Sequence, residues 1–143
     1  MLYVITGPPA AGKTTWVRER AKPGDVVIDY DAIAAALTIR APSHGHARII
    51  RDIAYRARAA AIQEALKHTT DVDVYLIHTL PPADALAKYE EHNAQIVTVD
   101  PGRDVVMQRI TEQRTRSMVA VAERWYAAAR HATQPAQRRS RHW

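Results

Sequence analysis

The chain has 143 residues, is 47% hydrophobic and carries a formal net charge of +5, which sizes it for one packed domain and favours anionic partners. Cysteine is absent, so disulfides, thiolate nucleophiles and cysteine-based zinc sites are excluded. The apolar start at residues 2–6 is too short for a signal peptide or a membrane span, and the expectation is a soluble cytoplasmic protein with no membrane contact.

Leu2–Thr6 is a short apolar run stopped by Gly7-Pro8-Pro9, and helix-forming residues follow over 12–20, which predicts strand, loop and helix. A turn at Lys22-Pro23-Gly24-Asp25 leads to a second apolar run, Val26–Ile28, that ends on Asp29-Tyr30-Asp31. A strand here delivers two carboxylates at its carboxyl end. Asp31 is placed to cap a short helix over 32–38, and residues 40–46 have turn formers without apolar period, which predicts a mobile loop. Residues 47–68 contain neither Gly nor Pro, and Ile50, Ile53, Ala54, Ala57 and Ala61 mark the apolar face of a long helix. Strands are predicted again at 72–77 and 95–99, with helices at 83–91, 104–112 and 119–130. Most of the excess positive charge lies late in the chain, where residues 101–143 hold nine Arg against Asp104, Glu112 and Glu123. We expect one domain over 1–132 and a basic tail over 133–143, in which Arg138, Arg139, Arg141 and Trp143 either contact phosphate or form a disordered end.

Strands that alternate with helices and read as near-continuous apolar stretches fit an α/β fold: a mostly parallel sheet of four to five strands with helices on both faces. In such folds ligands gather beyond the carboxyl ends of the strands. The segments after each strand, carrying Gly7, Asp29, Asp31, His78, Thr79 and Asp100, should therefore share one rim.

Gly7-Pro8-Pro9-Ala10-Ala11-Gly12-Lys13-Thr14 matches the phosphate-loop pattern G-x-x-x-x-G-K-[ST] between a predicted strand and helix. Chance supplies those four specified residues in about 0.5% of chains this long, so a ligandless turn is a poor explanation. The pattern implies a three-layer P-loop NTPase fold that binds a nucleoside triphosphate, ATP with Mg²⁺. Glycines let the backbone wrap an anion, and successive amides and the helix start point at it. Lys13 reaches the β and γ phosphates, the Thr14 hydroxyl ligates the metal, and Thr15 completes the turn.

The loop alone does not separate transfer to an acceptor from hydrolysis. A kinase also needs a carboxylate to take the proton of an acceptor hydroxyl and cations to neutralise the moving phosphoryl. Asp31 is the candidate base, unless it serves only as a helix cap, and Asp29 is either a second polar contact or faces outward. Arg109, Arg114 and Arg116 follow a predicted helix start and suit a lid over the triphosphate, unless they form a solvated surface. Arg48, Arg51, Tyr55 and Arg58 fall on one helical face. With Arg40 of the preceding loop they form a stripe that would suit a nucleic acid or a phosphorylated small acceptor, or else is solvated.

The chain resembles the polynucleotide 5′-hydroxyl kinases of bacteriophages and, more broadly, the small P-loop kinases related to adenylate kinase. The resemblance rests on the phosphate loop through Trp16-Val17-Arg18, on Ile28-Asp29-Tyr30-Asp31, on residues 74–79, and on Val106-Met107-Gln108-Arg109 with Arg114 and Arg124-Trp125-Tyr126. It implies that Asp31 activates the acceptor hydroxyl and that Arg114 braces the phosphates. Two positions depart from that pattern. Ala34 stands where an acceptor-binding arginine is expected, and His78 stands where a carboxylate usually supports the water shell of the metal. Two other readings remain beside the kinase: an NTP-driven switch that acts on a partner, and a nucleic-acid-binding module with a vestigial nucleotide site. The oligomeric state is not legible.

Overall fold

The computed structural model describes residues 1–39, 45–113 and 116–139, with only the backbone described over 133–139. Arg40, Arg114 and most of the expected loop at 40–46 lie outside the described residues.

The elements follow in the order β1 (Leu2–Thr6), α1 (Lys13–Arg18), β2 (Val26–Ile28), α2 (Tyr30–Ala36), α3 (Arg48–Ala65) with a 3₁₀ turn at Leu66–His68, and β3 (Val74–Ile77). They continue with α4 (Ala83–Glu91), β4 (Gln95–Thr98), α5 (Arg103–Glu112) and α6 (Ser117–Arg139). The strands form one parallel sheet in the order β2-β3-β1-β4. Leu2 of β1 lies opposite Val74 of β3, and Tyr3 lies opposite Gln95 of β4. That order sets the loops after β1 and β3 side by side, with the end of β2 next to them.

Both faces of the sheet are covered, and the two-residue period of the strands divides the core. Leu2, Val4, Val74 and Leu76 point to one face with Ile28, where they meet Ala65, Leu66 and Tyr89 from the α3 and α4 side. Tyr3, Ile5, Tyr75 and Ile77 point to the other, against Trp16 and Val17 of α1. There Tyr3 and Tyr75 stack at 5.0 Å with an interplanar angle of 10°, an arrangement aromatic pairs favour. A smaller cluster of Val106, Ile110 and Ala122 joins α5 to α6 and touches the phosphate loop at Ala10. The fold is the expected α/β class, with four parallel strands among the described residues.

Several details differ from the sequence-based expectation. Asp29, not Asp31, caps α2: its carboxylate accepts the amide of Asp31 at 3.2 Å, so the helix starts two residues earlier than predicted. The buried face of α3 is also rotated, because Ile53 and Ala57 are exposed whereas Ala54 is fully buried and Ala61, Ile62 and Ala65 turn inward. The reason is close packing of α2 on α3, where Ala34 and Ala54 are both at zero exposure. Finally, α6 continues to Arg139, past the predicted end at Arg130. No described helix is long and apolar enough to cross a membrane.

Candidate functional site

The loop after β1 is shaped by two backbone positions that only glycine fills well. Gly7 has φ 142°, and a Cβ there would lie 2.1 Å from the Val99 carbonyl oxygen, so the loop presses directly on the end of β4. Gly12 has φ 96° and occupies the N-cap of α1. Ala10 also takes a positive φ of 61°, a costly conformation for a side chain with a Cβ.

Lys13 is buried with its ammonium folded onto the loop: Nζ donates to the carbonyls of Gly7 at 2.8 Å and Pro8 at 2.6 Å. Burial lowers its pKa to about 8, against the opposing pull of Asp29 and Asp31. Two neutral carbonyls are weak partners for a buried cation, so the site has a standing electrostatic demand for an anion. Arg109 closes the loop from above, donating from Nη1 to the Ala10 carbonyl at 3.0 Å.

Residues 9–15 of the loop line one cavity of about 960 Å³ together with Asp29, Tyr30, Asp31, Tyr55, Arg58, His78 and Arg109. That is near the upper end of usual ligand pockets, with room for more than a triphosphate tail. Gly7 and Pro8 lie behind the wall and shape it.

Beside the end of the loop, Asp29 is half-buried, and burial raises its pKa above the usual carboxylate value. The Asp31 amide and the Thr14 hydroxyl act in the opposite direction by hydrogen bonding the charged form. Asp29 and Thr14 thus put a carboxylate beside a hydroxyl where the loop ends. Mg²⁺ prefers that donor set, one or two protein oxygens completed by phosphate and water, so these residues fit the ion the fold implies. Asp31 points its half-exposed side chain toward the cavity from the first turn of α2.

His78, at the end of β3, is held neutral: burial first, and Arg58 second, lower its pKa to about 4. Its Nδ1 lies 3.2 Å from the Tyr89 hydroxyl. Arg58 reaches from α3 to the same strand end, donating from Nη2 to the Ile77 carbonyl at 3.2 Å, while its buried Nε has no hydrogen-bond partner among the described residues. Of the predicted basic stripe, Tyr55 and Arg58 line the cavity. Arg48 and Arg51 do not; the Arg48 side chain is 87% exposed and lies 4.0 Å from Asp52. Arg58 follows Ala54 by one helical turn, so the packing that buries Ala54 swings Arg58 inward. Ala34, fully buried under α3, leaves no space at its position for an arginine.

The carboxyl rim is tied to α6. Trp125 donates from Nε1 to the Thr79 carbonyl at 3.0 Å, and the Tyr126 hydroxyl donates to Asp100 at 2.7 Å. Arg103 of α5 pairs with Glu123 of α6. Met118 and Val121 thereby form a further wall of the cavity. His46, which sequence reasoning placed only in a loop, is buried beside Asp31.

A parallel 2-3-1-4 sheet with a Gly-rich loop, an inward lysine and a hydroxyl at the strand–helix turn defines a P-loop nucleotide-binding protein. The chain matches the AAA domain family over residues 2–136, nearly its whole length, and it belongs to that family. No curated protein was found to match it.

Proposed function

We propose that the protein is a small kinase that transfers the γ-phosphoryl group of ATP to a hydroxyl of a nucleotide or nucleic acid. The observation that carries this reading is that Asp31 faces the cavity of Lys13 while Asp29 takes over the capping role. A carboxylate that lines the same cavity as a phosphate loop and is not the helix cap suits a general base.

In this reading the loop amides and Lys13 hold the β and γ phosphates, with Arg109 over the loop and Arg114 as a further brace. Thr14 and Asp29 hold Mg²⁺, which supplies charge neutralisation on the phosphates. The acceptor oxygen forms its bond to the γ phosphorus as the bond to the β–γ bridging oxygen breaks, and ADP leaves. Asp31 takes the acceptor proton. Arg58 and the exposed ring of Tyr55 sit on the acceptor side, where a cation and an aromatic face suit a phosphate and a base. Arg48 and Arg51, which do not line the cavity, then serve a longer acceptor strand, a role that Arg40 shares in this reading by its place in the sequence.

A second reading, an NTP-driven switch, draws support from His78, whose neutral imidazole stands where the kinases that the chain resembles carry a carboxylate that supports the water shell of the metal. The two are separated by incubation with γ-labelled ATP and a panel of 5′-hydroxyl DNA, RNA and nucleosides. Label on an acceptor that disappears in Asp31→Asn supports the kinase. Phosphate release without any labelled acceptor supports the switch.

A further inference from the structure

The segment before α3 places His46 against the candidate base, and nothing in the reaction above uses it. Its side chain is 3% exposed, and Nε2 lies 3.4 Å from Oδ1 of Asp31. The ring of Tyr30 meets it edge-on at 6.4 Å. Among the described residues, neither ring nitrogen has a partner within hydrogen-bond geometry. A buried imidazole in that condition bears the desolvation cost of each polar atom left unmatched, which invites a functional reason.

We propose that His46 is a positioning residue for Asp31: its Nε2–H holds Oδ1 and leaves Oδ2 aimed at the acceptor hydroxyl. This rests on the phosphotransfer reading above. The tautomer follows from the neighbours. An ionised carboxylate only accepts, so a bare Nε2 facing it would set lone pair against negative charge, whereas Nε2–H closes a bond after a small rotation of Asp31. The hydrogen-free Nδ1 then carries only a lone pair, the less costly group to leave unmatched. The Asp31 side chain is 48% exposed, and a buried partner narrows the rotamers open to it. General-base catalysis is sensitive to displacements of about 1 Å.

The test uses the full chain. His46→Leu removes the donor at similar volume, and His46→Gln returns an N–H near the Nε2 position. With γ-labelled ATP and an acceptor that the wild type labels, His46→Leu should lower kcat by about 10- to 100-fold with KM for ATP unchanged. His46→Gln should recover most of that loss, and adding His46→Leu to Asp31→Asn should cost nothing further. Equal losses in the Leu and Gln variants, or losses that multiply with that of Asp31→Asn, overturn the proposal. If the Leu variant fails to fold, His46→Asn takes its place, since its shorter amide falls short of Asp31. If the wild type labels no acceptor, the kinase reading fails separately and nitrogen NMR decides the pair. An Nε2–H tautomer that is lost in Asp31→Ala sustains the contact, and an Nδ1–H tautomer in the wild type overturns it.

Discussion

Asp29 caps the helix that carries Asp31: the carboxylate of the first accepts the backbone amide of the second at 3.2 Å. Two acids two positions apart are thereby given different work. Replacing Asp29 with Ala should destabilise the fold by about 1 kcal/mol, the usual cost of a lost cap, read as a lower midpoint in urea. Asp31→Asn should leave that midpoint within about 0.5 kcal/mol.

Lys13 gives the site a pH signature. Its pKa of about 8 in the unliganded protein rises when phosphates replace the Gly7 and Pro8 carbonyls as partners. Below about 8 the lysine is charged before and after binding; above it, binding must take up a proton. ATP affinity should therefore fall as pH rises past 8, by up to about tenfold per unit, with proton uptake visible by calorimetry in buffers of different ionisation enthalpy. The unliganded fold behaves oppositely. Its Lys13 pKa lies below the ordinary lysine value of 10.5, so stability rises from pH 8 toward 10.5, a component that Lys13→Met removes.

Gly7→Ala should abolish the loop. A Cβ would approach the Val99 oxygen to 2.1 Å at a φ of 142°, whereas a Cβ on Gly24 meets nothing within 4 Å. The Gly24 substitution should cost only about 1–2 kcal/mol from its positive φ, and Gly7→Ala clearly more, with ATP binding lost. Thermal melts with and without ATP compare the two.

Arg58→Met keeps the buried stem and removes the cation. We expect KM for a phosphate-bearing acceptor to rise about tenfold or more while the Kd for ATP stays unchanged, because Arg58 bonds the Ile77 carbonyl at the end of β3 and not the phosphate loop.

The local features were legible in the sequence for a physical reason. The phosphate loop is contiguous, its glycines are demanded by backbone geometry, and the strands show as short apolar runs, so the sheet and the rim followed from residues close in the chain. What depends on packing was not legible. Whether Asp29 or Asp31 caps α2 depends on where β2 stops, and both residues are good caps. The facing of α3 turns on its packing against α2, where Ala34 and Ala54 are both fully buried, which brought Arg58 inward and left Ile53 exposed. An alanine at i−4 to Arg58 was the available signal, but Ile53 and Ala57 masked it. His46 reaches Asp31 across fifteen positions of chain, and no local pattern marks such a contact.

The central claim, transfer to a hydroxyl with Asp31 as base, is tested most directly by following label from γ-labelled ATP in wild type and Asp31→Asn. The account predicts a labelled 5′-hydroxyl oligonucleotide or nucleoside with the wild type. Asp31→Asn should bind ATP normally and lose transfer by about 10²- to 10⁴-fold. Undiminished transfer by Asp31→Asn would contradict the account, and so would an acceptor panel that stays unlabelled while the wild type binds ATP.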